Sequence, residues 1–133
     1  MVSLMLDDTS YLLLVTLKCY GRPMERLSLH RHLYRILERT GLKLDLKFYG
    51  KPPFSPQVEE KVEELVNKGL LKKLYMVGPL YTELYREYVR LTEKGREVLD
   101  SIAPKGFEKE IEQYFEEVKA KGKGERVEHS VQH

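Results

Sequence analysis

Three arginines recur at every fourth position between residues 31 and 39, a spacing that matters if this stretch is helical. Residues four apart lie on the same face of an α-helix, so Arg31, Arg35 and Arg39 would form one stripe of positive charge. Such a stripe can contact the phosphates of a nucleic acid. The alternative is an ordinary solvated helix face, on which Arg35 pairs with Glu38.

Positive charge is concentrated in the N-terminal part of the chain. Residues 1–54 hold nine Lys or Arg against five Asp or Glu, a net charge of +4, whereas the whole chain of 133 residues carries +2. A net charge of +2 neither indicates nor excludes a nucleic-acid partner. The length indicates a single domain, and apolar residues, at 41%, are numerous enough to form its core.

Residue types that could support catalysis or metal binding are present, but their spacing is unsuitable. His30 and His32 are two apart, so on a helix they point about 200° apart and cannot easily share a metal. His129 and His133 lie in a stretch without periodicity. Cys19, the single cysteine, lies in an apolar helix and can form no disulfide within the chain. We therefore expect no catalytic site, no metal site and no cofactor, and hence no enzyme.

Capping residues and glycines give the boundaries of the helices that would carry these side chains. The first helix takes its N-cap from residues 8–10 and ends near Tyr20, before Gly21. It is apolar on most sides, so we expect it to be a central core helix. Ser55 followed by Pro56 starts a later helix. Helices after the first are predicted over residues 28–40, 56–68, 93–103 and 107–121.

Alternation of apolar and polar residues predicts three strands. Residues 42–48, with the sequence LKLDLKF, alternate without a break and indicate a half-buried strand. Residues 71–77 and 85–91 predict the two strands of a hairpin, and Pro79 lies in their connection, where it removes no ladder hydrogen bond. The order of elements is therefore helix, helix, strand, helix, strand, strand, helix, followed by an amphipathic helix.

This order and two stretches of sequence resemble the winged helix-turn-helix domain. LVNKGLL at 65–71 and VRLTEKGREVL at 89–99 are similar to transcription regulators of the MarR and PadR kinds. In those proteins a helix ends at a glycine, a hairpin wing follows, and a Leu-Thr-x-x-Gly turn opens the next helix. Residues 26–71 also resemble archaeal winged-helix proteins with a Tyr-Gly-Pro-Phe-Ser loop, and more distantly phage-associated and antitoxin-linked proteins. This chain departs from that loop by inserting Lys51 and Pro52.

The resemblance implies an α+β fold in the form of a winged helix-turn-helix: helix, helix, strand, helix, two-stranded wing and helix, with an added C-terminal amphipathic helix. We predict the winged-helix domain at 1–103, the C-terminal helix at 104–121 and a mobile tail at 122–133. The implied function is that of a DNA-binding transcriptional regulator, with double-stranded DNA as its partner.

In winged helices of this kind the helix before the wing enters the major groove, and here that helix covers 56–68. Its outward face would carry Glu60, Glu63 and Glu64, and the phosphates of DNA would repel these carboxylates. We therefore expect the second helix to supply much of the attraction to phosphates, with the loop and the wing assisting. The predicted DNA-binding residues are Arg26, Arg31, Arg35, Arg39, Lys51, Ser55, Gln57, Lys61, Tyr81, Arg86 and Arg90.

The apolar side of the C-terminal helix requires a partner. It could fold back on its own domain or pair with its copy in a second subunit. The resemblance to PadR regulators, which dimerise through a C-terminal helix, implies a homodimer. The predicted dimerisation residues are Phe107, Ile111, Phe115 and Val118.

The rival function is a winged-helix protein-interaction module, similar to antitoxin- or phage-associated proteins, that does not bind DNA. Its protein partner would dock on the acidic third helix. Lys, Arg and Glu are abundant while Asn and Gln are scarce, a balance typical of thermophiles. The longest apolar run, at 11–15, is too short to cross a membrane, and no export signal is recognisable, so we expect a cytoplasmic protein.

Overall fold

The computed structural model describes the backbone of residues 6–76 and 86–132, and the side chains of these residues as far as Lys121. This part of the chain is α+β, as predicted, with five helices and a small antiparallel sheet of three strands. In chain order the elements are α1 (Asp8–Tyr20), β1 (Met24–Glu25), α2 (Arg26–Thr40), α3 (Pro56–Asn67), β2 (Leu71–Met76), β3 (Arg86–Leu91), α4 (Glu93–Asp100) and α5 (Glu108–Gln132).

Helix α1 is the central helix of the core, as its composition predicted. Every residue from Ser10 to Leu17 is buried, and the helix contacts α3, α4, α5 and β3. Its N-cap is Asp7 rather than a residue of 8–10, because the Asp7 carboxylate accepts a hydrogen bond of 2.8 Å from the Ser10 backbone N–H. Gly21 ends the helix in the left-handed conformation, at φ 79°.

The hairpin prediction is confirmed for the described residues. Strands β2 and β3 pair antiparallel, with the register running from Leu71 opposite Leu91 to Met76 opposite Arg86. The connection between the strands, which includes Tyr81, lies outside the described residues. The third strand is β1, which pairs with the other edge of β3 and places Met24 opposite Val89. The sheet order is therefore β1-β3-β2.

The strand predicted at 42–48 is wrong. Its apolar residues do pack against the core and its polar residues are exposed, so the alternation is real. Among the described residues, however, the segment has no ladder partner, apart from a single bridge between Tyr49 and Phe54 just after it. The edge of β3 that a third strand can use is occupied by β1. Alternation of apolar and polar residues shows only that one side of the segment is buried. A β-strand also needs a neighbouring strand with which its backbone can form hydrogen bonds.

The turn before α4 depends on a close contact between two backbones. Thr92 caps α4 by accepting a hydrogen bond of 2.9 Å from the Gly95 N–H, and its own hydroxyl donates to the carbonyl of Gly69 at 2.7 Å. A Cβ atom on Gly95 would overlap the carbonyl oxygen of Leu70. The Leu-Thr-x-x-Gly pattern therefore has a steric basis here, because it fixes α4 against the residues that lead into β2.

Helix α5 folds back on its own chain, packing against α1 and α2. Ile111 and Phe115 are buried there, and Phe107 and Val118 are partly buried against the same core. This is the first of the two arrangements left open by the sequence, and it covers the surface expected to pair with a second copy. The backbone of α5 extends to Gln132, so the segment predicted as a mobile tail, 122–133, falls largely within its bounds, outside the described side chains.

Candidate nucleic-acid interface

Arg26, the first predicted DNA contact, is held inside a cluster of carboxylates. Its guanidinium lies 2.6 Å from Glu59 of α3, 2.6 Å from Glu87 of β3 and 3.1 Å from Glu63 of α3, and its side chain is only 12% exposed. Burial alone would lower the pKa of Arg26, but the hydrogen bonds to Glu59 and Glu87 raise it, so the residue remains charged. Arg26 therefore joins α2, α3 and β3 and is not available to DNA.

His30 and Lys73 extend this cluster. The buried His30 ring accepts a hydrogen bond of 3.1 Å at Nδ1 from the Ser55 N–H, which leaves Nε2 as the donor to Glu59 at 3.0 Å. Burial lowers the pKa of His30, against the opposing effect of Glu59, so the ring is neutral. Lys73 of β2 forms ion pairs with Glu63 and, at 3.5 Å, with Glu87.

The outward acidic face predicted for α3 is largely neutralised. Glu63 faces Arg26 and Lys73, and Glu64 lies between Lys61 at 2.8 Å and Lys68 at 3.3 Å. The pKa of each carboxyl is lowered by its lysine partners. Within the described part of the chain, Glu60 is the carboxylate of this trio that forms no ion pair. The sequence could not show this, because Arg26 and Lys73 come from other elements.

Three further predicted contacts have structural roles. Ser55 is fully buried and caps α3 by accepting a hydrogen bond from Val58 N–H at 3.4 Å. Gln57 accepts a hydrogen bond of 2.8 Å from the Lys47 N–H and so anchors the preceding segment. Lys61 pairs with Asp7 at 2.6 Å as well as with Glu64, which raises its pKa. These side chains stabilise the entry into α3, so we no longer expect them to contact DNA.

The remaining predicted cations lie at the surface. Arg31 and Arg35 on α2, and Lys51 in the loop before α3, are exposed and have no carboxylate within 4.0 Å among the described residues. Arg86 is exposed on β3 and lies 4.0 Å from Glu25. Arg90 is half-buried and donates to the carbonyl of Leu91, the next residue, at 3.4 Å.

The third arginine of the stripe, Arg39, is already bound to α5. It forms two parallel hydrogen bonds with the Glu117 carboxylate, at 2.9 and 2.8 Å. Beside it, the buried His32 ring bonds at 2.7 Å to the hydroxyl of Tyr114, and burial lowers the pKa of His32 to about 4. Helix α5 is therefore fastened to the same helix that presents Arg31 and Arg35.

Two groups of surface residues next to the stripe were absent from the predicted site. Lys43 and Lys47 are exposed on the extended segment before α3, as its alternation indicated. A second group consists of the exposed apolar residues Leu27, Tyr34, Tyr49 and Phe54, which we call the aromatic patch. Leu27 and Tyr34 are seven apart on α2, and Phe54 stacks on the intervening His30 at 4.4 Å between ring centroids. The i, i+7 spacing of Leu27 and Tyr34 was the signal available in the sequence.

Comparisons with protein-family models, with curated proteins and with solved structures found no match for this chain. Among the residues that the structure describes, no helix combines the length and apolar character needed to cross a bilayer. Over the same residues, no three His, Cys, Asp or Glu side chains come together in a way that could hold a metal ion.

Proposed function

We propose that this protein is a winged-helix DNA-binding regulator that contacts the duplex through α2 and the segment 42–51, flanked by the β2–β3 hairpin as the wing. One observation carries the proposal: the cations of α2, of α3 and of the segment that joins them fall into two sets. Those around α3 pair with carboxylates, whereas Arg31, Arg35, Lys47 and Lys51 are exposed and have no carboxylate within 4.0 Å among the described residues. Exposed cations without a carboxylate partner are what attraction to a phosphate backbone requires.

The free cations are suited to positioning the protein on DNA rather than to reading a sequence. Arg31 and Arg35 can each present a planar fork to phosphate oxygens, and the lysines add compact charges at the loop. Arg86 on β3 would contact the backbone from the hairpin side. Because Glu63 and Glu64 are already paired with lysines, α3 should repel the phosphates of DNA much less than its sequence suggests. The interaction should therefore depend strongly on salt concentration.

The test is a titration of a labelled random-sequence duplex at several salt concentrations. Arg31→Gln with Arg35→Gln removes two charges from the proposed interface. Its matched control, Lys18→Gln with Lys105→Gln, removes two charges from ion pairs elsewhere, with Asp100 and with Asp8. We expect the interface variant to flatten the plot of log affinity against log salt by about 1.8 units, at roughly 0.9 per phosphate contact.

The control variant should leave the salt slope within experimental error of the unmodified protein. Equal changes in the two variants would mean that net charge alone attracts DNA and that α2 makes no contact. A complete absence of duplex binding by the unmodified protein at low salt would overturn the proposed function.

The aromatic patch supports a second candidate function, a protein-interaction module. Leu27 is 62% exposed and Tyr49 is 59% exposed, and Tyr49 is bridged through its backbone to the partly exposed Phe54. Exposed apolar groups that cluster on a charged surface mark interaction sites. The docking surface would then be the patch rather than α3, whose carboxylates are mostly paired. The same titration separates the two functions, because a module of this kind binds no duplex at any salt concentration.

The homodimer remains a prediction, and its expected surface has changed. From Phe107 to Val118 the apolar side of α5 packs against the core of the same chain, so these residues offer little area to a second subunit. Two-fold arrangement of two winged helices on DNA would need another surface.

A further inference from the structure

A cavity of about 420 Å³ lies between α1, α4 and α5, on a part of the molecule that the proposed DNA contact does not use. Its lining includes the apolar residues Val15, Leu99, Ile102 and Pro104. Cavities of a few hundred Å³ with apolar walls are typical of sites for small organic ligands. The size and lining therefore suit a ligand with a compact apolar body.

The rim of this cavity carries an excess of negative charge. Among the described lining residues Lys18 is the single cation, and it is paired with Asp100 at 3.0 Å. Lys105 lies just outside the lining, 5.0 Å from the centre of the Tyr11 ring, and is paired with Asp8. Glu108 is held as an anion, because the Tyr11 hydroxyl and nearby backbone N–H groups donate to it and lower its pKa against the effect of burial. Glu112 is exposed and has no cationic partner within 4.0 Å among the described residues. One cation against three carboxylates leaves a charge of −2.

The wall also contains Cys19, which reports the character of the site. The thiol is half-buried, and its pKa is raised to about 11, first by burial and then by the negative charge of Glu112 and Glu108, against the opposing charge of Lys18. The sulfur therefore lies within reach of the charges of Glu112, Glu108 and Lys18, and the two carboxylates outnumber the one cation. An anionic ligand would be repelled by the carboxylates, and a neutral one would gain no ion pair with Glu112, which is exposed.

We propose that this cavity binds a small amphipathic amine, with its apolar body against Val15, Leu99 and Ile102 and its ammonium group between Glu112 and Glu108. Transfer of the apolar body from water into the cavity is favourable, and the ammonium group forms an ion pair with the carboxylates at the rim. The occupant would rest on residues of α1, α4 and α5 and would reinforce the docking of α5. This inference does not depend on DNA binding.

Cys19 provides the test, because it is the single cysteine in the full chain. The rate of its alkylation by iodoacetamide is measured by mass spectrometry at about pH 9, where a primary amine is still mostly protonated. Three probes of similar shape are compared: 2-phenylethylamine, 2-phenylethanol and 3-phenylpropionate. We expect the amine to slow alkylation in a saturable way, the alcohol to require a higher concentration, and the carboxylate to protect least.

Two variants on α5 make the charge argument specific. Glu112→Gln should weaken protection by the amine about threefold, as expected for one partly exposed ion pair, and should leave protection by the alcohol unchanged. Glu110→Gln is the control, since Glu110 is exposed on the same helix and lies near Arg39 on the side of α2. Protection is compared as a ratio of rates with and without probe, because Glu112 also influences the thiol directly.

Circular dichroism establishes that both variants fold before the rates are compared. Equal protection by the amine and the alcohol would overturn the proposal, because the rim charge would then play no part. Protection by none of the three probes would overturn it as well, since no ligand of this class would enter the cavity. Equal responses of Glu112→Gln and Glu110→Gln would place the amine elsewhere.

Discussion

Replacing Arg26 by methionine tests whether the carboxylate cluster holds α2, α3 and β3 together. Methionine keeps much of the length and apolar stem of arginine but leaves Glu59, Glu63 and Glu87 facing one another with Lys73 as their cation. Breaking a buried ion pair costs roughly 3–5 kcal/mol, whereas an exposed pair is worth roughly 0–1 kcal/mol. The Arg26 side chain is 12% exposed but its partners are 24–46% exposed, so we expect a loss near the lower figure, about 3 kcal/mol.

This loss should depend on pH in a definite direction. Arg26 and Lys73 hold the pKa of Glu63 and of Glu87 below the ordinary value of 4.5. A lowered carboxyl pKa stabilises the fold above the unfolded pKa, and that contribution disappears as the pH falls through the folded pKa. In the variant the crowded carboxylates also lose their repulsion when they take up protons. The difference between the two proteins should therefore shrink to below about 1 kcal/mol in acid.

Urea unfolding at neutral pH and at about pH 3 measures both quantities. Arg96→Met is the control, because Arg96 is exposed on α4 and forms no ion pair among the described residues; its effect should stay within about 0.5 kcal/mol at either pH. A loss below about 1 kcal/mol at neutral pH would show that solvent screens the cluster and that Arg26 is not a structural residue. A loss that is the same at both pH values would refute the ionic origin.

Two further predictions concern single side chains. Gly95→Ala should lower the free energy of unfolding by about 1–3 kcal/mol, because the new methyl group would overlap the Leu70 carbonyl; thermal unfolding measures this, and an unchanged melting temperature would contradict the close approach. His32 has a pKa of about 4 in the fold against 6.5 when free, so its contribution is complete above pH 6.5 and is lost as the pH falls towards 4. His32→Gln should therefore be less sensitive to pH across that window, and an identical pH profile would exclude His32 as the source.

Local features of the fold were predictable because each is decided by residues close together in the chain. Ser55 with Pro56 and Thr92 with Gly95 mark helix starts through hydrogen bonds that span three residues, and both starts are present. The two strands after α3 were predictable from their alternation and a short connection. The strand at 42–48 was not a correct prediction, since its partner would have to come from elsewhere in the chain, and residues 24–25 occupy that edge.

The candidate site likewise has features that follow from local sequence and features that depend on distant residues. Arg31 and Arg35 were predicted to be exposed, and they are, because their place on α2 follows from helical periodicity. Whether a cation is free, however, depends on carboxylates far away in sequence. Arg26 meets Glu87 across 61 residues, and Arg39 meets Glu117 across 78. No pattern within a helix could reveal those pairs.

The sequence by itself determined the α+β composition, the starts of α3 and α4, the pairing of β2 with β3 and the stripe of arginines on the second helix. Only the tertiary structure shows which charges neutralise one another and that the apolar side of α5 packs on its own chain. It also shows the cavity that three helices leave beside Cys19. The physical reason is the distance along the chain over which each kind of interaction acts. Capping and periodicity act over one or two turns, whereas ion pairing and burial depend on which distant segments meet when the chain folds.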